Sequence, residues 1–342
     1  MLNKNLKLSE NIFSKDVEQA PTRNGYGEGL VLAGEKDERV VALCADLTES
    51  TRTDAFAKKF PDRFIEVGVA EQGMATIASG MANYGKIPFI ASYAAFSPGR
   101  NWEQIRTTVA LNDVPVKIAG HHAGISVGPD GATHQMLEDI ALMRAMPNMI
   151  VVVPCDSVEA RKATVAASGN GKPTYLRFGR EKTPVMTGDE TPFEIGKANV
   201  LWDSTQNNEH RTQCEAAIVG CGSLLYEALL AAKELQRSEI GTMVINCHTV
   251  KPIDEQAIIS AARRCGAIVT VEEHQINGGL GSAVAEVLSR NWPVPIEYVG
   301  MPNAFGESGK PDELLEKYKM KSKDIVTAVK KVIARKQDLT YG

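Results

Sequence analysis

The stretch Val67-Gly68-Val69-Ala70-Glu71-Gln72-Gly73-Met74 joins a predicted strand, residues 64–67, to a predicted apolar helix, residues 70–84. Similar units, in which a run rich in Val and Ile precedes a helical pattern, continue to about residue 178. The other strands of this half are predicted over 40–44, 89–92, 116–120, 150–154 and 174–178, and the other helices over 101–111, 135–144 and 157–167. This alternation predicts an α/β fold with a mostly parallel sheet.

A second α/β unit is predicted after a polar stretch. Its strands are expected over 216–220, 242–246 and 267–272, and its helices over 224–235, directly after 278–281, and in a final segment to about 335. We therefore predict two α/β domains with mostly parallel sheets. The predicted limits are an N-terminal arm 1–20, a first domain 21–185, a linker 186–212 and a second domain 213–338.

Composition narrows the class of function. The chain has 342 residues and a net charge of −4, with both signs mixed along the sequence. A nucleic-acid-binding protein usually shows a basic face, so we expect no nucleic-acid partner. Six cysteines without close paired spacings favour reduced thiols over a zinc site or a disulfide framework. The first residues carry no apolar signal region and no apolar run of about 18 residues occurs, so we expect no membrane partner and a cytoplasmic location.

Three further motifs accompany Glu71. They are Asp46-Leu47-Thr48-Glu49-Ser50, Tyr93-Ala94-Ala95-Phe96, and the long loop that runs from His122 through Asp130-Gly131-Ala132-Thr133-His134-Gln135. With Glu71 they resemble the pyrimidine-binding half of a transketolase, and the resemblance extends from about Arg23 to the end of the chain. It implies a thiamine diphosphate pyrimidine-binding domain followed by a transketolase C-terminal domain.

The resemblance implies a role for three residues at the coenzyme. Glu71 matches the carboxyl group that protonates the aminopyrimidine ring and favours its imino form, which then takes the proton from the thiazolium C2. Tyr93 and Phe96 match the aromatic positions that line the slot for that ring, with Phe96 as the stacking face. Where some transketolases have another aromatic residue, this chain has Gly99.

The resemblance also implies the substrate-binding residues. His134 matches the residue that faces the donor hydroxyl and moves protons, and Asp130 matches the residue that accepts a hydrogen bond from the C2 hydroxyl. Sugar phosphates are dianions, so the far end of the site should present cationic and hydroxyl donors. The matching phosphate clamp consists of Arg23, Ser50, His122 and Arg180, with Arg177 as a competing candidate for the last position.

The other half of the coenzyme site is missing from this chain. In the family, Mg²⁺ and the diphosphate are held through a Gly-Asp-Gly segment followed by Asn residues. Gly188-Asp189-Glu190 and Asn207-Asn208 match that pattern only faintly and are interpreted as linker, so we assign no metal ligand here. The resemblance implies a separate N-terminal subunit that supplies the metal ligands, in an assembly of two copies of each subunit.

The implied activity is a transketolase reaction of the pentose phosphate pathway. A two-carbon ketol unit would pass from a ketose phosphate such as xylulose 5-phosphate to an aldose phosphate such as ribose 5-phosphate. Alternatives are a deoxyxylulose phosphate synthase, the beta subunit of a 2-oxoacid dehydrogenase, and a catalytically silent assembly subunit. A specialised branched or sulfonated sugar also stays open as the substrate.

Overall fold

The computed structural model describes residues 1–205 and 213–340. Within these ranges the strands are β1 (Gln19–Pro21), β2 (Val40–Cys44), β3 (Phe64–Glu66), β4 (Ile87–Tyr93), β5 (Lys117–His121), β6 (Ile150–Val152), β7 (Thr174–Arg177), β8 (Lys182–Pro184), β9 (Asn199–Asp203), β10 (Ala216–Gly220), β11 (Thr242–Asn246), β12 (Thr249–Lys251), β13 (Ile268–Gln275) and β14 (Ile296–Met301). The α-helices are α1 (Thr22–Lys36), α2 (Asp54–Lys59), α3 (Glu71–Asn83), α4 (Trp102–Gln104, continued by a π-helix at Ile105–Ala110), α5 (Asp139–Arg144), α6 (Ser157–Gly169), α7 (Leu225–Arg237), α8 (Glu255–Cys265), α9 (Leu280–Asn291), α10 (Pro311–Lys317) and α11 (Ser322–Thr340).

The first sheet has the strand order β12-β6-β7-β5-β4-β2-β3. All its neighbouring strands are parallel except β12, which pairs antiparallel with β6. Its central strand β5 is buried along its whole length, as expected when helices cover both faces of a parallel sheet. Because β2, β4, β5 and β7 are parallel, the loops that follow them leave from one edge of the sheet, which is where open α/β sheets bind ligands.

The second sheet has the order β14-β13-β10-β11-β9, and only β9 runs antiparallel to its neighbour. The predicted fold class, two α/β units with mostly parallel sheets, is confirmed. Strand β9 lies within the stretch 186–212 that was predicted as a linker, so part of that stretch is an edge strand. The domain limits themselves stay predictions, and 206–212, with Asn207 and Asn208, fall outside the described residues.

The N-terminal arm lies against the second sheet of its own chain. Leu2 forms an antiparallel bridge with Trp202, and the ring of Phe13 meets the Trp202 ring edge-on at 6.1 Å. Ile12 is fully buried. Residues 1–3 therefore pair with the outer edge of β9 and shield backbone groups of that edge from solvent.

The two sheets are joined by shared elements. Strand β12 follows β11 in the chain but completes the first sheet. Between the units, Asn246 Nδ2 donates to Glu159 Oε1 at 2.7 Å, and the Ser126 backbone N–H donates to Glu273 Oε1 at 2.6 Å. All four residues are buried, so these contacts fix how the second unit sits beside the first.

Helix α1 was not predicted from the sequence, because its glycine content is unfavourable in a helix. It forms through tight packing on α6, where a Cβ atom at Gly25 would lie 1.8 Å from the Ser157 carbonyl oxygen. Only glycine allows the two backbones to approach this closely. Helix α1 also carries Arg23, one of the predicted site residues, in its first turn.

The prediction of reduced cysteines is wrong for two residues. Cys214, just before β10, forms a disulfide with Cys265, the last residue of α8. The two residues are 51 positions apart in sequence, and folding brings their Cα atoms to 4.7 Å. Spacing along the chain could not reveal this pair. The other four cysteines are buried free thiols, Cys44, Cys155, Cys221 and Cys247.

Candidate active site

Glu71 is the first residue of α3 and is only 1% exposed. Its Oε2 atom accepts a hydrogen bond of 2.6 Å from Arg100 Nη1, whereas Oε1 has only a long contact of 3.5 Å with the Ser92 hydroxyl. Asn101 donates its side-chain amide to the Glu71 carbonyl oxygen at 3.1 Å and so fixes the start of the helix. The carboxylate is thus held at the edge of the first sheet, with one oxygen weakly engaged.

An aromatic and imidazole cluster lies after β4 and β5. The Tyr93 and Phe96 rings are stacked at 22° with centroids 6.1 Å apart. His122 lies 3.9 Å from Tyr93, and His134 lies 5.4 Å from Phe96. Four residues that were selected from separate motifs therefore form one cluster, in which the imidazole rings meet the aromatic rings edge-on and the Tyr93 and Phe96 rings offer faces for a planar heterocycle.

Arg23 and Ser50 extend the same site toward a cationic end. Arg23 Nη1 donates to the Ser50 carbonyl oxygen at 2.9 Å and lies 3.4 Å from His122 Nε2. Burial, with the charges of Arg23, Arg180 and His134, lowers the pKa of His122 to about 3. His122 is therefore neutral at pH 7 and can donate or accept a hydrogen bond without adding charge.

Arg180 and Asp130 form a partly exposed pair at the mouth of this site. Arg180 Nη1 donates to Asp130 Oδ1 at 3.3 Å and to the Val127 carbonyl oxygen at 3.1 Å. Each side chain is 34% exposed, so both can exchange partners when a ligand arrives. His134, in the same loop, has its Nδ1 2.9 Å from the Thr133 hydroxyl, which leaves Nε2 for other partners.

Arg177, the competing candidate for the clamp, points elsewhere. Its side chain is 6% exposed and pairs with the fully buried Asp139. Its Nη2 atom also donates to the Met136 and Glu273 carbonyl oxygens at 3.3 and 2.9 Å. Every contact of Arg177 thus lies inside the protein, and Arg180 is the arginine of this loop that faces the site.

Sequence reasoning missed Arg100 and Asn101. Both side chains contact Glu71, yet they lie about thirty positions further along the chain. Their only sequence signal is their place directly after the aromatic motif that ends at Phe96. The roles assigned to the predicted site residues stay predictions, but the structure brings all of them to one edge of the first sheet.

The site fits the aminopyrimidine end of thiamine diphosphate. A buried carboxylate and an aromatic face lie together here, since the Arg100 guanidinium that binds Glu71 also lies 4.8 Å from the Phe96 ring centroid. For the residues at 1–205 and 213–340, no cluster of His, Cys, Asp or Glu side chains could hold a metal ion. None of the helices in those same ranges is both long and apolar enough to cross a bilayer.

Comparison with known proteins identifies the class of protein to which this chain belongs. Residues 18–186 match the family model described as the transketolase pyrimidine-binding domain, and residues 206–325 match the transketolase C-terminal domain. The chain belongs to the transketolase family, whose members depend on thiamine diphosphate.

Relatives of about the same length as this chain are described as sections, subunits or split-gene forms of transketolases. A protein named as a transketolase C-terminal section, from Methanocaldococcus jannaschii, is 42% identical, and the match covers 90% of this chain and 94% of that one. A 6-deoxy-6-sulfo-D-fructose transketolase subunit from a Clostridium species is 39% identical, with 95% and 98% coverage. A solved structure described as a split gene transketolase, an inactive beta4 tetramer, has a TM-score of 0.84 at 42% identity and covers 92% and 98% of the two chains.

Proposed function

We propose that this chain is the pyrimidine-binding subunit of a two-chain transketolase. With a separate N-terminal subunit it would transfer a two-carbon ketol unit from a ketose phosphate, by default xylulose 5-phosphate, to an aldose phosphate, by default ribose 5-phosphate. The observation that carries the proposal is the convergence of Glu71, the Tyr93 and Phe96 rings, and the Arg23, His122 and Arg180 group at one sheet edge.

Glu71 and Phe96 would hold the coenzyme's aminopyrimidine. When bound, thiamine diphosphate supplies a thiazolium carbon that cleaves the bond next to a ketose carbonyl. Glu71 would share a proton with the ring nitrogen through its buried carboxyl group, and Phe96 would orient the ring by stacking. Burial strengthens this proton contact because water does not compete for it.

The remaining residues would bind the sugar phosphate. Arg23 and Arg180 supply positive charge for the phosphate, and neutral His122 adds a hydrogen bond beside them. Asp130 would exchange its contact with Arg180 for the donor's C2 hydroxyl. His134 would move a proton to and from the sugar hydroxyl at the reacting carbon through Nε2.

Turnover should require the second subunit. Magnesium and the diphosphate would be held by the N-terminal subunit, in an assembly of two copies of each chain, with no binding groups for them assigned here. The relative described as an inactive beta4 tetramer supports the expectation that the isolated chain lacks activity.

Ketol transfer from xylulose 5-phosphate to ribose 5-phosphate, with thiamine diphosphate and Mg²⁺, tests the proposal. The assay is run with this chain alone and then with its N-terminal subunit. Activity only in the mixture is expected. Activity of the chain alone would overturn the two-chain proposal, and binding of coenzyme without turnover on any ketose would indicate a silent assembly subunit.

A sulfonated sugar is a second candidate substrate. The observation that favours it is the 39% identity to the sulfofructose transketolase subunit across nearly the whole of both chains. Both anions suit an arginine clamp, because sulfonate and phosphate oxygens accept the same guanidinium donors. Comparing kcat/KM for 6-deoxy-6-sulfofructose and xylulose 5-phosphate as donors, in the mixed enzyme, decides between them.

A further inference from the structure

The Arg100 side chain makes the two contacts that the proposed function assigns to the aminopyrimidine ring. Its Nη1 atom lies 2.6 Å from Glu71 Oε2, and its Cζ atom lies 4.8 Å from the Phe96 ring centroid. A guanidinium is planar, donates hydrogen bonds and stacks on aromatic faces, as a protonated aminopyrimidine does. Two groups of this shape cannot occupy the same face of Phe96 and the same oxygen of Glu71 together.

The charge of Glu71 explains why the place is filled. Its side chain is only 1% exposed, and a buried ionised carboxylate without a partner is costly. The other nearby donor, the Ser92 hydroxyl, is 3.5 Å from Oε1 and so adds little. Arg100 is therefore the group that neutralises Glu71 within the described part of this chain.

Arg100 is also built to move. Its side chain is 44% exposed, so its path into solvent is open, and the contacts that it would give up are those with Glu71 and Phe96. The backbone beside it is fixed, since Asn101 is fully buried and its amide donates to the Glu71 carbonyl oxygen and to the Ser97 hydroxyl, both at 3.1 Å. The backbone is therefore held in place here, while the Arg100 side chain can rotate toward solvent.

We propose that Arg100 is a placeholder for the aminopyrimidine: it covers Phe96 and neutralises Glu71 until the coenzyme enters, and it must swing out for the coenzyme to bind. This inference rests on the proposed function. Departure of Arg100 would free Glu71 Oε2, so that the coenzyme's ring could take over the 2.6 Å contact that Arg100 makes in this structure.

Coenzyme titration of the assembled two-subunit protein tests this inference without relying on turnover. Calorimetry with thiamine diphosphate and Mg²⁺ would compare the wild type with Arg100→Ala and with Arg100→Gln, which keeps a polar side chain if the alanine variant folds poorly. In this proposal the Arg100 side chain competes with the coenzyme for Glu71, and its ion pair is partly exposed to solvent. Removing Arg100 should therefore tighten coenzyme binding about fivefold. Arg39→Ala is the matched control, since it removes an arginine from the exposed ion pair with Asp37 and should leave affinity unchanged.

A coenzyme-free measurement completes the test. In the isolated chain, Arg100→Ala should lower the denaturation midpoint, and the same change in a Glu71→Gln background should have little effect, because no buried charge is left to neutralise. Unchanged or weaker coenzyme binding by both Arg100 variants would overturn the placeholder while leaving the proposed function standing. Failure of the wild-type assembly to bind thiamine diphosphate would instead overturn the proposed function.

Discussion

Arg177 binds the carboxylate of Asp139 through two hydrogen bonds of 2.7 and 3.2 Å, inside the protein and away from the candidate active site. Burial alone would raise the pKa of Asp139, but Arg177, with help from His274 and Tyr175, lowers it below its usual value. Asp139 therefore stays ionised and paired. This assigns a structural task to Arg177, so that of these two arginines only Arg180 faces the site beside Arg23.

The two arginines should respond differently to alanine substitution. We expect Arg180→Ala to raise KM for phosphorylated acceptors about tenfold or more and to change little for unphosphorylated ones, since it removes a phosphate contact. Arg177→Ala should instead destabilise the chain by about 3 to 5 kcal/mol, because Asp139 would be left buried and unpaired. Steady-state kinetics and denaturant unfolding of both variants check this. Equal effects on both acceptor classes in Arg180→Ala would contradict the clamp.

Glu71→Ala should abolish ketol transfer while the subunits still assemble. Loss of the carboxyl group that shares the coenzyme's proton should cost at least about 100-fold in kcat. The control is Glu103→Ala, which removes an exposed carboxylate. Turnover assays combined with size-exclusion chromatography measure both properties, and activity within twofold of wild type would rule out the assigned role.

The buried carboxyl group of Glu159, which contacts Asn246, should make the free energy of unfolding depend on pH. Burial, reinforced by Asp156, raises the pKa of Glu159 from 4.5 to about 7. Between these values the folded state holds a proton that the unfolded chain has lost, so stability is greatest below about pH 4.5 and falls as pH rises through 7, by at most about 3 kcal/mol.

Glu159→Gln should remove this dependence. A glutamine cannot titrate, and its amide can pair with Asn246, whose side-chain oxygen has no partner within the described residues. Urea midpoints at pH 5 and pH 8 should therefore differ less in the variant than in the wild type. The same pH difference in both proteins would show that Glu159 does not titrate in this range.

Reduction of the Cys214–Cys265 disulfide should destabilise the second unit. The bond closes a long loop, since the residues are 51 positions apart, and the loss of that constraint on the unfolded chain corresponds to about 4 kcal/mol. Thermal unfolding with and without a reductant checks this. The double variant Cys214→Ser with Cys265→Ser should be insensitive to the reductant, whereas an unchanged wild-type midpoint would contradict the prediction.

Much of the fold could be predicted because the signals are local. Strands β2, β10 and β11 occur at the predicted residues, and α3 begins at Glu71, one position from the predicted start. Apolar runs and helical patterns are properties of neighbouring residues, so they can be found by reading along the chain. Helix α1 was missed because packing against α6 overrides the low helical propensity of its glycines.

Taken alone, the sequence determined the α/β class, the family, and the residues that meet at the candidate site other than Arg100 and Asn101. The tertiary structure decided which of Arg177 and Arg180 faces that site, that Arg100 rather than solvent neutralises Glu71, and that β12 completes the first sheet. It also decided that Cys214 pairs with Cys265. The physical reason is the same in each case: a charge, a strand edge or a thiol finds its partner by distance in space, and that distance exists only once the chain has folded.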